Sequence, residues 1–455
     1  MKFFKSALSR LGLLVALFAL NSRAEFDTNR IVVLVSMDGL AAFYFDDPKA
    51  EMPNLHALAK LGVHAESMLS VIPTVTWPNH TTLVTGVTPA LHGVVGNNFF
   101  DRKSNKIVTL IQDPVFDKED IVKVPTIYDV AKQAGLRTAA VHWPATRNAK
   151  NLDWQVPATR SMENQRQFTT PSLLKECEES GIFIVDPKVK ERQPSEFTDE
   201  LSTQIFNLVL EKHRPQLAML HVGNTDHAQH EHGPRSAQAY AAIKAEDAQL
   251  GVVWRTLQKD FPGRATLFVV SDHGFSATDY YIPTHALLRK ISLDKMADGT
   301  QPVEVLSQGG SLMVYILDQA HRDEIERKIA KAYKKEKGVT RVLTTRQLRA
   351  NGVATPADDP HAPDMFILAG KGYAFGDTSS GQIPASEKSE RRGTHGQDPL
   401  VPDLHATFVA WGVGIKHGAR LGEIKNVDVA PTIARVLQIN LPNVEGKPLT
   451  KILSE

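Results

Sequence analysis

The 455-residue chain has a single cysteine, Cys177, so neither an intrachain disulfide nor a cysteine-based zinc cluster can form. It also lacks an excess of either charge, since 52 Lys and Arg stand against 51 Asp and Glu, a net charge of +1. Proteins with a nucleic-acid scaffold role normally show a marked basic excess, so this balance argues against that class. Hydrophobic residues make up 42% of the chain, which excludes collagen-like and mostly disordered proteins and supplies a large core.

The sequence has no apolar run long enough to cross a bilayer. The N-terminal run Leu11–Leu20 has ten residues, against the ~20 that a transmembrane helix needs. It follows a basic start and precedes Ser22–Ala24, whose small residues suit a signal peptidase. Residues 1–24 are therefore predicted to be a cleaved signal peptide, with an uncleaved anchor as the alternative. The mature chain 25–455 is expected to be exported, either periplasmic or secreted.

Short apolar segments rich in β-formers alternate with helical patterns along most of the chain. The apolar segments predict buried strands at Ile31–Met37, Leu136–Val141, Leu217–Val222, Thr266–Ser271, Leu312–Leu317, Met365–Ala369 and Thr407–Trp411. The helical patterns predict helices at Pro53–Leu61, Thr126–Ala134, Arg235–Leu257 and Arg322–Tyr333. Continuous apolar runs are typical of parallel strands covered on both faces. The pattern therefore predicts an α/β fold, a doubly wound, mostly parallel sheet flanked by helices.

Two stretches do not fit this alternation. Residues from about 144 to 196 and from about 276 to 302 are polar and irregular. Long irregular stretches in compact domains are often functional lids, so we expect cap insertions, with plain surface loops as the alternative.

Asp and His, residue types that bind metal ions, follow three of the predicted strands. Asp38 comes after the first strand, Asp226 and His230 come after the third, and Asp272 and His273 come after the fourth. Ligand sites in open α/β sheets lie at the carboxyl ends of the strands, so these side chains should meet at one edge. Asp226 and His230 have the i, i+4 spacing that puts both on one face of a helix. Each piece alone has a plain alternative, a turn or a solvated loop.

His395 is a further candidate ligand. It lies between Gly393 and Gly396, and glycines allow the backbone to approach other segments closely. Carboxylates and imidazoles suit zinc or a similar divalent ion. Six protein ligands exceed what one tetrahedral zinc takes. We therefore expect two metal ions roughly 4 Å apart, the arrangement that binds the attacking and leaving oxygens in phosphoryl transfer.

Thr76 is the candidate nucleophile. It opens a predicted helix that runs to Gly86, with Pro78 in the first turn. A hydroxyl at a helix start lies where backbone N–H groups favour an anion, and a nearby metal would make its alkoxide accessible. The alternative is an ordinary helix-capping threonine.

Five segments in order resemble the nucleotide pyrophosphatase/phosphodiesterases of the alkaline phosphatase superfamily. They are Thr76–Gly86, His92–Gly93 with Asn97, Asp226 to His230, Ser271–Gly274 and Gly393–Gly396. Together they extend from about Ile31 to about Leu441. The resemblance implies an alkaline-phosphatase-like catalytic domain over residues 25–455, and a two-zinc phosphodiesterase that forms a phospho-threonine intermediate.

The same resemblance implies the metal ligands. One zinc site would use Asp226, His230 and His395. The other would use Asp38, Asp272 and His273, with the hydroxyl of Thr76 beside it.

The resemblance also implies substrate contacts. Asn97, together with the backbone amide of Trp77, would donate hydrogen bonds to a phosphoryl oxygen. Trp77 stands where family members commonly have Phe, an aromatic pocket wall. The stacking tyrosines of nucleotide-cleaving members are missing after Trp143, and Trp154 is the remaining candidate for stacking on a base.

The expected substrate is a small-molecule phosphate diester, with nucleotides first and lipid or glycerol head groups next. A phosphomonoesterase or phosphonate hydrolase on the same scaffold is the alternative. Monoester specialists add positive charge, for which Arg102 and Arg147 are the candidates. A non-catalytic binding protein stabilised by zinc is the third possibility. The sequence does not indicate an oligomeric state.

Overall fold

The computed structural model describes residues 30–111, 116–159, 162–182, 194–294, 299–376 and 392–454. The predicted signal peptide, residues 1–24, lies outside these ranges. Within them, no helix combines the length and apolar character that a membrane span requires.

The elements alternate between strands and helices, as the sequence predicts. The strands are β1 (Ile31–Met37), β2 (Val63–Leu69), β3 (Asn98–Asp101), β4 (Lys106–Thr109), β5 (Thr138–Trp143), β6 (Trp154–Pro157), β7 (Leu217–Val222), β8 (Ala265–Val270), β9 (Ser276–Pro283), β10 (Val303–Ser307), β11 (Ser311–Ile316), β12 (Val339–Leu343), β13 (Met365–Ala369), β14 (Gly372–Gly376), β15 (Gly393–Thr394), β16 (Phe408–Gly412) and β17 (Ala419–Lys425). The helices are α1 (Pro53–Leu61), α2 (Thr76–Thr85), α3 (Pro89–His92), α4 (Lys118–Ile121), α5 (Ile127–Gln133), α6 (Met162–Phe168), α7 (Pro171–Glu179), α8 (Pro194–His213), α9 (Asn224–His232), α10 (Ala237–Asp260), α11 (His285–Lys290), α12 (Arg322–Tyr333), α13 (Thr345–Leu348) and α14 (Val429–Leu437).

The main sheet has eight strands in the order β17-β2-β16-β8-β1-β7-β5-β6. Its described strands are parallel except β16, which pairs antiparallel with β2 and β8. Helices α1, α8 and α10 pack on one face, and helices α2, α5 and α14 pack on the other. This arrangement confirms the predicted doubly wound, mostly parallel α/β sheet.

A second sheet of four antiparallel strands has the order β10-β11-β13-β12. It contains two segments that the sequence assigned to parallel strands, now β11 and β13, and for these the predicted direction is wrong. Both strands have one face in each of two apolar clusters, so every residue in them is buried. A continuous apolar run therefore reports burial on both faces and not the direction of the strand.

The described parts of both stretches contain regular elements, whereas the sequence predicts irregular structure there. In the first stretch, β6 forms the edge of the main sheet beside β5, and α6 and α7 follow it. In the second stretch, β9 is the centre of a three-stranded sheet with β14 and β15. The backbones of β6 and β9 pair with other strands. The polar sequences of these two segments do not reveal which strands they pair with.

Candidate active site

The first Asp/His cluster lies at the ends of two neighbouring strands. Strand β1 leads to Asp38 and strand β8 leads to Asp272 and His273, and the two strands are paired in parallel register. His273 Nε2 lies 3.5 Å from Asp38 Oδ1 and 3.1 Å from Asp272 Oδ2. All three side chains are buried, and one potential ligand atom from each lies within 4.8 Å of the others.

The second cluster combines α9 with the segment that follows β15. Asp226 and His230 lie one turn apart on α9, as the i, i+4 spacing predicts, with Asp226 Oδ2 3.5 Å from His230 Nε2. His395 comes directly after β15, and its Nε2 lies 3.5 Å from Asp226 Oδ1. These three residues also place their ligand atoms within 4.8 Å of one another.

The two clusters adjoin. The imidazole rings of His273 and His395 stack with centroids 3.8 Å apart and an angle of 17° between their planes. Gly39, which has a φ of +70°, lets the segment after β1 lie close to α9, because a Cβ atom there would lie 3.2 Å from the Cα of Asp226. The structure thus brings together the six side chains that the sequence predicts as metal ligands, in the two predicted groups.

The donor chemistry of these clusters fits bound metal ions. Four of the ligand atoms are buried and make no hydrogen bond, namely Asp38 Oδ1, Asp226 Oδ1, Asp272 Oδ2 and His273 Nε2. Burial, followed by repulsion from Asp272 and Asp226, raises the pKa of Asp38 well above its usual range. Divalent cations would bind the ligand atoms that lack hydrogen bonds, and their charge would offset the repulsion between the buried carboxylates.

Neighbouring polar groups orient the first cluster. His221 Nε2 lies 3.0 Å from Asp38 Oδ2, and His221 Nδ1 donates to the carbonyl oxygen of His142 at 2.9 Å. The backbone N–H of Gly39 donates to Asp272 Oδ1 at 3.2 Å. Sequence reasoning missed His221, although a histidine inside the apolar run of β7 was a usable signal.

Two buried carboxyl groups hold the start of α9, the helix that carries Asp226. Asp199 accepts hydrogen bonds from the N–H groups of Gly223 and Asn224, both at 2.8 Å. Glu246 accepts from the N–H of Thr225 at 2.6 Å. Burial raises the pKa of Asp199 to about 6. Burial and the charge of Asp199 also raise the pKa of Glu246 well above its usual range.

Thr76 is the first residue of α2, but it does not cap the helix. The capping position belongs to Val75, whose side chain makes no capping hydrogen bond. The alternative of an ordinary capping threonine is therefore wrong. His80 Nδ1 donates to the carbonyl oxygen of Thr76 at 2.9 Å and lies 3.4 Å from Asp272 Oδ2. This contact ties the backbone of Thr76 to the first cluster.

The segment before Thr76 is tied to the second cluster in the same way. His395 Nδ1 donates to the carbonyl oxygen of Thr74 at 3.0 Å. Because one backbone segment bonds to both clusters, the start of α2 adjoins both.

Asn97 and Trp77 are in contact, in a different arrangement from the one expected. The backbone N–H of Trp77 donates to Asn97 Oδ1 at 2.8 Å, so it is not a free donor beside the Asn97 amide group. Because Oδ1 of Asn97 accepts this bond, Nδ2 is the atom of that amide group that can donate. Trp77 is only 4% exposed and packs in an apolar cluster.

The structure does not bring Trp154 to the site. Trp154 pairs with Ala139 near the start of β5, whereas the ligand clusters follow the carboxyl ends of the strands. Its ring stacks on His213, at the end of α8, with centroids 4.1 Å apart. Trp154 therefore packs at the opposite end of the sheet, and the expectation that it stacks on a substrate base is wrong.

A doubly wound sheet with two adjoining Asp/His clusters at its strand ends places the protein in the alkaline-phosphatase-like superfamily. Within it, the chain belongs to the type I phosphodiesterase/nucleotide pyrophosphatase family, whose family model matches residues 32–398. The family resemblance predicted from the sequence is thereby confirmed.

Curated relatives are distant and mostly longer. Venom phosphodiesterase of Naja atra is 24% identical over 90% of this chain and 44% of its own length. Human ectonucleotide pyrophosphatase/phosphodiesterase family member 1 is 24% identical over 90% of this chain and 40% of its own length. The chain thus spans less than half the length of these relatives, and 74% of the human family member 5, to which it is 24% identical.

A solved structure shares the fold. Murine ectonucleotide pyrophosphatase/phosphodiesterase 5, determined as an inactive variant in complex with AMP, superposes with a TM-score of 0.72. The alignment covers 93% of this chain and all of the murine chain, at 20% sequence identity.

Proposed function

We propose that this protein is an exported two-zinc phosphodiesterase of the nucleotide pyrophosphatase type, formed by one catalytic domain over residues 25–455. It would hydrolyse small-molecule phosphate diesters, nucleotides first, through a phospho-threonine intermediate on Thr76. The observation that carries the proposal is the pair of adjoining Asp/His clusters beside the start of α2, with buried ligand atoms that make no hydrogen bond. Export rests on the N-terminal sequence alone.

The residues for two metal ions are those of the two clusters. Asp38, Asp272 and His273 would hold one zinc, with Thr76 beside it, and Asp226, His230 and His395 would hold the other. Bound zinc supplies Lewis acidity, which lowers the pKa of a hydroxyl or water and offsets phosphate charge.

The chain's own groups carry the two chemical steps. The Oγ of Thr76 forms a bond to phosphorus, and the bond from phosphorus to one alcohol oxygen breaks, so that this alcohol leaves with a proton. Water then attacks the threonine ester, which returns the Thr76 hydroxyl and releases the phosphate monoester. The Nδ2 of Asn97 would donate to a phosphoryl oxygen as its charge grows.

The surroundings of two arginines favour a diester over a monoester. Arg102 bonds to Asp364 and to the carbonyl oxygens of Pro360 and Ala362. Arg147 pairs with Asp117 at 2.8 Å, and its guanidinium lies over the ring of Phe168. Both candidate cations are therefore engaged elsewhere, which leaves the extra charge of a monoester uncompensated by them.

The decisive experiment compares two nitrophenyl substrates. The zinc-loaded chain without residues 1–24 is tested on the nitrophenyl ester of thymidine monophosphate and on nitrophenyl phosphate. We expect preference for the diester, and a loss of at least about 1000-fold in kcat for Thr76→Val, as for removal of a nucleophile in general. The matched control is Thr85→Val, because Thr85 lies on the same helix and its hydroxyl donates only to the carbonyl oxygen of Thr81.

The other outcomes are equally informative. Preference for the monoester would overturn the substrate class. Zinc binding without turnover of either substrate would favour the binding-protein alternative.

A further inference from the structure

The turn between β10 and β11 reaches from the second sheet to the candidate active site. The N–H of Gly310 donates to the carbonyl oxygen of His395 at 2.8 Å. A Cβ atom at Gly309, which has a φ of +76°, would lie 2.5 Å from that same oxygen. A Cβ atom at Gly396 would lie 2.0 Å from the carbonyl oxygen of Gln308. Since no other residue type fits there, glycines let the turn pack directly against a predicted metal ligand.

The side chain of Gln308, in the same turn, holds the backbone around Asn97. Its Oε1 accepts a hydrogen bond from the N–H of Asn97 at 3.0 Å. Its Nε2 donates to the carbonyl oxygen of Asn98 at 3.1 Å. Gln308 is only 6% exposed, and a Cβ atom at Gly96 would lie 3.1 Å from its Nε2. Buried hydrogen bonds on both sides thus fix the backbone position of Asn97.

We propose that Gln308 is a positioning residue that acts through Asn97. Gln308 holds the backbone of Asn97, and the side chain of Asn97 in turn accepts the N–H of Trp77, next to Thr76. This series of bonds sets the distance between the Asn97 Nδ2 donor and the attacking hydroxyl. The proposal rests on the proposed function, which gives Asn97 its role at the phosphoryl oxygen.

Geometry of this kind matters because a transition-state donor is effective only at the right distance. Removal of one such donor typically costs about 100- to 1000-fold in kcat. A donor displaced by about 1 Å retains part of its effect but can still cost on the order of 100-fold. We therefore expect Gln308→Met, which roughly keeps the volume and removes the hydrogen bonds of the amide group, to lower kcat by at least about 10-fold.

A double-mutant cycle distinguishes positioning from a structural role. Turnover of the thymidine diester is measured for Gln308→Met, Asn97→Ala and the double variant, each with its zinc content determined. If Gln308 acts through Asn97, its substitution costs at least about 10-fold in the native background and less than about 2-fold in the Asn97→Ala background. The affinity for AMP, measured by calorimetry, should show the same dependence without relying on turnover.

Gln216→Met is the matched control. Gln216 is 7% exposed, and its Oε1 accepts the N–H of Arg137 at 2.9 Å, just before β7 and far from the ligand clusters. We expect this variant to lose stability as Gln308→Met does, but to keep its kcat.

Equal losses in both backgrounds would overturn the positioning role, because the effect would then not pass through Asn97. A comparable loss of kcat in Gln216→Met would also overturn it. If the wild-type protein turns over neither substrate, or if Asn97→Ala has full activity, it is instead the proposed function or the role of Asn97 that fails.

Discussion

The two carboxylate oxygens of Asp38 have different surroundings in the candidate site. Its Oδ1 faces His273 in the first cluster and makes no hydrogen bond, while its Oδ2 faces His221 at 3.0 Å. One oxygen thus faces another candidate metal ligand, and the other lies beside the His221 imidazole. Groups that hold metal-binding carboxylates in this way tune metal affinity as well as orientation.

We therefore predict that His221→Ala weakens zinc binding by about 10- to 100-fold, the usual cost of losing such a partner. Competition with a chelator of known affinity measures this directly. His92→Ala is the control, because His92 is also buried but bonds to the hydroxyl of Thr82, outside the clusters. Unchanged zinc affinity in His221→Ala, or an equal loss in His92→Ala, would contradict the assigned role.

Single residues were predictable where local sequence carries the signal. Asp38, Asp226 and Asp272 each follow an apolar strand or open the next helix, so their convergence follows from the sheet. Gln308 gave no such signal, because its function depends on contact with Asn97, far away in sequence. The expectation for Trp154 failed for the same reason, since strand pairing decides at which end of the sheet its ring lies.

Helix α9 depends on an unusual pair of acids at its start. Asp199 and Glu246 bind three successive backbone N–H groups there. Among the residues that the structure describes, neither acid has an ion pair with a basic side chain. The pKa of both is raised by burial. The folded chain thus keeps a proton that the unfolded chain releases above about pH 4.

The sign of the pH effect follows from linkage. Because the folded pKa is raised, the free energy of unfolding falls as the pH rises from about 4 through the raised pKa. Glu246→Gln cannot titrate and keeps an oxygen for the N–H of Thr225. We predict that it is more stable than wild type at pH 8 by at least about 1 kcal/mol, the equivalent of one pKa unit, with a smaller gain at pH 5.

Thermal unfolding of the zinc-loaded proteins at both pH values measures this difference. Glu66→Gln, at an exposed glutamate on β2, serves as the control and should show little change at either pH. A gain in Glu246→Gln that does not grow with pH would contradict the account in which the folded chain retains a proton.

The bounds of helices and strands could be predicted from the sequence better than the pairing between strands. The predicted bounds of α1 and α12 match the structure, because apolar periodicity and flanking residues are local signals. The strands β11 and β13 were located correctly but assigned to the wrong kind of sheet. Direction is set by pairing with distant segments, which a single sequence does not display.

In the whole molecule, the candidate site is shared between sheets. The main sheet and its helix α9 supply Asp38, Asp226 and Asp272, while His395 follows β15 of the three-stranded sheet. The second sheet contacts both His395 and Asn97 through the turn at Gln308. The fold shared with the murine family member 5 covers 93% of this chain.

The stereochemical course at phosphorus tests the proposed mechanism most directly. A thymidine nitrophenyl phosphorothioate of known configuration is hydrolysed in ¹⁸O-labelled water, and the configuration of the product is determined by ³¹P NMR. Attack by Thr76 followed by attack of water gives two inversions at phosphorus, so the account predicts net retention. Net inversion would show a single displacement by water and would contradict the covalent threonine intermediate.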